Sequence, residues 1–246
     1  MDTTQMMSAA EQFARAVNES AHECERLQRG VELVAELVPG CHHVGAAIRD
    51  KRGLRPWAWT DEVGPGSIAR QMAAQEGPSL DSLHSACSVA SNDVESDRRW
   101  PIWGRQAARE LGVRTAAAFV LTGYDQQGRA QSLGTLTLYS DDVDAFDDVR
   151  MRLAHELSTH LAIALAASRE IRQRGDAMES RTVIGQAIGI LMERFALDPD
   201  RAFGVLQRLS QTNNRRIVDL ATEPVTTRDL SCLHAGANAR ATVPTS

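Results

Sequence analysis

Apolar residues recur along this 246-residue chain at two periods, and the changes of period mark where one kind of element gives way to another. From about Ser8 to Val38 the spacing predicts one helix, with Phe13, Val17, Leu27, Val31, Val34 and Leu37/Val38 as packing positions, ended by Pro39-Gly40. His43 to Ile48 predicts a strand, Asp50 to Gly53 a hairpin turn, and Leu54 to Thr60 a second strand. Two-residue alternation would place Trp57 and Trp59 on one face of it. Ile68 to Gln75 predicts a short helix, Cys87 to Ser91 a brief strand, and Ile102 to Leu111 another helix. Thr115 to Leu121 and Ser132 to Tyr139 are apolar strand runs joined by a polar turn around Asp125-Gln126-Gln127-Gly128. A long helix begins near Phe146 and runs towards Arg174. Five or so short strands in hairpins, with helices before, between and after, predict an α+β domain.

Beyond Arg181 the pattern is helical only. Ile184, Ala187, Ile188, Leu191 and Phe195 form one face of a helix. Asp198-Pro199-Asp200 supplies a cap oxygen, a proline suited to the first helical position and a carboxylate for the positive helix end. Ala202, Phe203, Leu206 and Leu209 give a second stripe; Asn213-Asn214 breaks the chain. Ile217, Leu220 and Ala221 give a short third stripe that Pro224 is expected to stop. Three helices of this size bury a core only by packing on each other.

Between these regions, Ala154, Leu157, Leu161, Ala164, Ser168 and Ile171 alternate spacings of three and four, continuing to Gly175 and Met178. Such a seam serves either for pairing with a second chain or for packing on the sheet. A homodimer is the expectation, with Gly175-Asp176 weakening the helix just before the C-terminal helical region.

Composition narrows the classes. The chain is 43% apolar and 24% charged, with a net charge of −5, the make-up of a soluble globular protein. No apolar run reaches the ~20 residues of a membrane span, and the N-terminus lacks the basic-then-apolar pattern of a signal peptide. A cytoplasmic location is expected, with no membrane partner. From Asp176 onward eight Arg face eight Asp plus Glu, so no basic domain attracts nucleic acid from a distance. Cys24, Cys41, Cys87 and Cys232 are widely spaced without a CxxC, which suggests neither a disulfide framework nor a zinc site.

Chemistry-bearing groups remain on both regions. Arg201 and Arg208 are seven apart on the second C-terminal helix and project from nearly the same side. Asn213, Asn214, Arg215 and Arg216 follow at the start of the third. Guanidiniums beside amides suit phosphate contact with base-edge hydrogen bonding, and a solvated helix face carries the same residues. In the α+β region Trp57, Trp59, Asp81 and Trp100 are the candidates for lining a ligand pocket. Asp97-Arg98-Arg99-Trp100-Pro101 equally reads as a helix start with a core indole and a surface ion pair, and Gly77-Pro78 with Asp81 as a turn. Cys41-His42-His43 reads as a helix-to-strand turn rather than a metal site, since consecutive strand residues point to opposite faces. No nucleophile paired with a base, metal motif or phosphate loop is apparent, so a non-enzyme with no evident cofactor is expected.

The order of residues adds to this. Ala187, Gly189, Ile190, Leu191 and Met192, then Ala202-Phe203, Leu206, Ser210, Asn214, Asp219 and Ala221, resemble the ANTAR domain, a three-helix RNA-binding module of bacterial antitermination regulators. That family often has Lys where this chain has Ile188, and a basic residue at Val218. Gln75 to Leu83 (QEGPSLDSL), Asp97 to Pro101 (DRRWP) and Ser132 to Phe146 (SLGTLTLYSDDVDAF) resemble a GAF domain, a small-molecule sensing module. The expected layout is an N-terminal helical extension (1–24), a GAF-like domain (25–168), a helical linker (169–180), an ANTAR-like domain (181–230) and a flexible tail (231–246). The resemblance implies an α+β domain with an antiparallel sheet, then an all-α three-helix bundle. It implies binding of hairpin loops in nascent RNA so that a terminator fails to form, with the loop read by residues such as Asn214 and Arg216, under control of an unidentified small molecule or a partner. Two other classes stay open: a DNA-binding helix-turn-helix variant, and a GAF-fold enzyme acting on a small molecule. Against the first stands a third helix expected to end at Pro224.

Overall fold

The computed structural model describes residues 3–19, 22–51, 53–125 and 127–227. They divide into two units, Met1–Arg169 and Glu170–Ser246. The expected tail at 231–246, with Cys232, lies outside the described residues.

Helices α1 (Thr3–Glu19) and α2 (Glu23–Leu37) stand where one helix is predicted. The chain breaks near His22, whose φ of −110° and ψ of 147° are extended. A straight helix would hold Phe13 and Val31 about 27 Å apart. The break lets both, with Val17 and Leu27, enter one core. Strands β1 (His43–Asp50), β2 (Gly53–Trp59), β3 (Val89–Ser91), β4 (Thr115–Tyr124) and β5 (Ala130–Ser140) form an antiparallel sheet of order β2-β1-β5-β4-β3.

Alternation along the strands gives each face its own layer. Val44, Ala46, Ala117, Phe119, Leu136 and Leu138 face α2 and the first part of α6 (Asp148–Phe195). Ala47, Ala116 and Tyr139 point the other way, towards α3 (Val63–Ala74), α4 (Pro78–Ser85) and α5 (Trp103–Leu111). Helix α4 is absent from the sequence expectation, because Leu80 and Leu83 are too few to show a period. Where β1 meets α3 the backbones nearly touch: a Cβ on Gly45 would sit 3.0 Å from the Gly64 Cα.

The predicted seam has found its partner inside this unit. Ala154, Leu157, Leu161 and Ala164 are buried in the core with α2, and a Cβ on Gly30 would lie 2.5 Å from a Leu161 methyl. Of its two possible uses, packing on the sheet is what Ala154 to Ser168 do. Ile171 and Met178, its expected continuation, are 66% and 70% exposed.

In the second unit α6 continues through Gly175 and Asp176 without a break. One glycine costs about 1 kcal/mol, and the strong helix formers around it, with the Glu170–Arg174 pair at 2.6 Å, outweigh that. The helix stops at Ala196, whose φ is +51°. Helices α7 (Pro199–Asn213) and α8 (Ile217–Thr227) complete the bundle. Asp198 caps α7 through the Arg201 backbone N–H at 2.8 Å. Ala187, Leu191, Ala202, Leu206, Leu209, Leu220 and Ala221 form the core. Pro224 does not end the third helix as expected. It is buried inside α8, where its ring adds to the apolar lining and only one backbone hydrogen bond is forgone.

Candidate functional site

The residues predicted to meet RNA fall into two groups on the second unit. Arg201 and Arg208 are exposed on α7, one near its start and one two turns on. Asn213 and Asn214 close the same helix: Asn213 Nδ2 donates to the Leu209 carbonyl at 3.0 Å, and Asn214 takes the left-handed conformation (φ 50°, ψ 40°) with its backbone N–H on Ser210. Asparagine tolerates that conformation better than most side chains, so Asn214 works here as a C-cap. Arg215 and Arg216 lie in the turn before α8, and both are engaged. Arg215 Nη2 donates to Glu223 at 2.5 Å. Arg216 grips Asp219 with two bonds of 2.9 and 3.0 Å. That pair raises the Arg216 pKa and holds the Asp219 carboxyl below its ordinary value. Arg201 pairs with Asp198 at 3.2 Å. Arg208 makes no ion pair among the described residues, which leaves it fully available to a phosphate.

The residues predicted to line a ligand pocket are not gathered in one place. Asp81 and Trp100 do meet: the indole Nε1 donates to Asp81 Oδ2 at 2.8 Å. Trp100 is buried edge-on against Trp103, ring centres 5.5 Å apart, under the Arg99 guanidinium. The Arg99 hydrogen bonds to Asp97 hold that carboxyl down at about 2. Trp57 and Trp59 are elsewhere and do not share a face. A register shift between Ala46 and Ala47 breaks the alternation on which that expectation stood. Trp57 packs towards the α2 side, whereas the Trp59 Cβ adjoins Gly64 of α3.

A different cluster holds the buried polarity of this unit. Ser67 and Gln71 of α3, Ser79 and Ser82 of α4, and Thr135 and Thr137 of β5 are all fully buried. Ser79 Oγ lies 2.9 Å from Thr137 Oγ1, and Gln71 bridges Ser67 Oγ and the Ser79 backbone N–H. The Tyr139 hydroxyl sits among these side chains without a hydrogen bond of good geometry, and burial pushes its pKa up. Ser82 Oγ and Thr135 Oγ1 also lack a hydrogen-bond partner among the described residues. A buried hydroxyl left unpaired costs about 1–3 kcal/mol, so a further hydrogen bond to any of these three groups would be stabilising. No ionisable carboxylate, amine or imidazole belongs to it. A spacing search could not find it: single Ser and Thr residues on three elements make no motif.

Thiols and metal-binding groups offer less. Burial pushes the Cys41 thiol up to about 12, which keeps it protonated and unreactive near neutrality. Cys24 and Cys87 are exposed, on separate elements. Among the described residues no group of three His, Cys, Asp or Glu is placed to hold a metal ion, and no helix is long and apolar enough to cross a membrane.

Residues 21–166 match the family model of the GAF domain, and residues 172–223 that of the ANTAR domain. The chain belongs to the GAF–ANTAR regulators. Its GAF domain carries the five-stranded sheet and the neutral polar layer; its ANTAR domain carries the helices with Arg208 and the Asn213–Arg216 turn. No curated protein matches the chain. Among solved structures, the free methionine-R-sulfoxide reductase of Neisseria meningitidis, in complex with its substrate, is 17% identical over 70% of this chain and 95% of that one, with a TM-score of 0.52. The GAF domains of phosphoenolpyruvate-protein phosphotransferases from Acinetobacter and Coxiella burnetii are 12% and 16% identical, each covering 70% of this chain and 99% of its own, with TM-scores of 0.52. At such identities the likeness establishes the GAF fold and nothing of its chemistry.

Proposed function

We propose that this GAF–ANTAR regulator binds hairpin loops in nascent RNA through its ANTAR domain and antagonises transcription termination in the cytoplasm, without catalysis of its own. The observation that carries the reading is the ANTAR match over a bundle whose core is closed and whose α7 keeps Arg208 exposed and unpaired among the described residues. Arg208 and Arg201 would position the phosphates, while the Asn213–Arg216 turn would meet loop bases; Arg215 and Arg216 must first exchange their carboxylate partners for RNA.

The GAF domain supplies the control. Its buried layer of hydroxyls and one amide suits a small uncharged molecule rich in hydrogen-bonding groups, since an anion or cation would enter without a counter-charge. Helix α6 supplies buried residues to both cores and is the element through which a change at the layer would reach the ANTAR domain. Self-association would rest on the exposed Ile171 and Met178, because the rest of the seam is used internally.

The deciding experiment titrates the full chain with an RNA hairpin carrying a single-stranded loop and, in parallel, with duplex DNA of the same sequence. Preferential hairpin binding is expected, together with read-through of a terminator in a purified transcription assay. Tighter binding to the duplex would return the helix-turn-helix reading, which a third helix reaching Thr227 no longer opposes on length.

A further inference from the structure

Within the ANTAR domain, α6 and α8 leave an open groove of about 730 Å³, within the range of ligand-binding clefts. Its apolar lining is Gly189 and Ile190 of α6 with Pro224 and Val225 of α8; Gln186, Glu193 and Arg194 supply the polar groups. These three are exposed and make no hydrogen bond or ion pair among the described residues, unlike the arginines of the α7–α8 turn.

A second feature of the same helix is independent of the groove's shape. Gly189 and Gly185, one turn apart, face space in which a Cβ would meet nothing within 4 Å. Mid-helix glycine is unfavourable relative to alanine, and among the described residues no neighbour, turn or left-handed backbone requires it. The Gly189 backbone is thus open on the side that lines the groove.

We infer that this groove takes one unpaired nucleobase of the bound RNA, an assignment that rests on the RNA-binding reading above. A base is a flat apolar plate with donors and acceptors on its rim. The Gly189 backbone with Ile190, Pro224 and Val225 meets the plate. Gln186 offers a donor and an acceptor, Glu193 an acceptor and Arg194 a planar donor set for the rim or the adjoining phosphate. An apolar peptide side chain would fill the floor and leave all three polar groups unused. The α7–α8 turn then positions the backbone, and the base is read one helix away.

The probe is an RNA hairpin selected on the full-length protein from a library with a randomised loop, carrying 4-thiouridine at one loop position in turn. Gly189→Leu fills the groove and should weaken binding about ten-fold or more, the scale of excluding one base from an apolar site. Its melting temperature should hold or rise, since leucine is the better helix former. Gln186→Ala should relax loop preference with little loss of general affinity, and photocrosslinks should fall within residues 186–194 or at Pro224 and Val225. Binding of Gly189→Leu equal to wild type, or crosslinks confined to residues 213–216, overturns the groove assignment while leaving RNA binding intact. Conversion of a wild-type dimer to a monomer by Gly189→Leu would make the groove a contact between copies of this chain. Failure of the wild-type protein to enrich any hairpin removes the RNA reading, and the groove assignment with it.

Discussion

The two units spend their polar side chains in opposite ways. The GAF domain hides hydroxyls and an amide between α3, α4 and β5, three of the hydroxyls without a partner and none of the group charged. The ANTAR domain buries almost only apolar groups and keeps its polarity outside, where Arg201, Arg215 and Arg216 are held by Asp198, Glu223 and Asp219. An unmet hydrogen bond in the interior is expensive, so it specifies what enters. A surface ion pair is worth little and is readily exchanged for another anion. The first arrangement suits recognition of a small molecule, the second contact with a polyanion.

The largest effect should come from the ANTAR core. Leu206 is completely buried, and Leu206→Ala should destabilise that domain by ~2–5 kcal/mol. Calorimetry of the full chain should show one transition moving down and the GAF transition staying in place; a joint shift would mean the two cores are not thermodynamically separate.

The polar layer is next. Tyr139→Phe removes a buried hydroxyl without a good partner, so the unliganded protein should be unchanged or gain up to about 1–3 kcal/mol. Under the small-molecule reading, native mass spectrometry should find a retained molecule on wild-type protein and its loss from the variant. A destabilised Tyr139→Phe protein would show that the hydroxyl already has the partner it needs.

At the turn, Asn214→Ala should cost on the order of 1 kcal/mol through its left-handed backbone, and Asn214→Gly should cost nothing or less than nothing. If Asn214→Gly folds as well as wild type yet loses loop discrimination by ~1–3 kcal/mol, the amide reads a base as well as capping α7. Retained discrimination in both variants would leave Asn214 a cap alone.

From neutral to alkaline pH, the titration effect should be confined to the GAF domain; on the acid side the lowered Asp219 carboxyl also titrates in the ANTAR domain. His43 bonds to Asp61 through Nδ1 at 2.6 Å and to Asp141 through Nε2 at 3.0 Å. Burial would lower its pKa, and the two carboxylates overcome this and hold it above the ordinary 6.5. The folded value exceeds the unfolded one, so this stabilisation is complete below pH 6.5 and is lost as pH rises through the folded value. Thermal melts of wild type against His43→Gln should converge at alkaline pH, with the ANTAR transition indifferent. Parallel curves across that range would remove His43 as the titrating group.

Smallest of all should be Arg208→Ala, with no change in melting and a salt dependence of RNA binding shallower by roughly 0.7–0.9 in slope. An unchanged slope would take Arg208 out of the interface.

Much of this was legible in the sequence. Short apolar runs bounded by turn residues located the main strands, because both faces of the sheet are covered by helices. The three-four spacing of Ile184 to Leu191 and of Ala202 to Leu209 located two bundle helices. Failures came where a local signal competed with packing. The single helix expected over Ser8 to Val38 folds back at His22, since both halves share one apolar core. Pro224 sits inside α8 because its ring is more useful to the core than its missing N–H is harmful. Trp57 and Trp59 lost their shared face to one bulge, a register event that composition does not reveal.

What the sequence determined by itself was the kind of each element, the division into an α+β and an all-α part, and the family resemblance, for these depend on spacings within some tens of residues. Tertiary structure alone decided that Leu161 packs on Gly30, that Ser82, Thr135 and Tyr139 share one uncharged layer, and that Gly189 opens onto a groove beside Pro224. Each of those joins residues from different elements. Which side chains meet is fixed by how helices and strands pack, and the energy of that packing is not written at any one position.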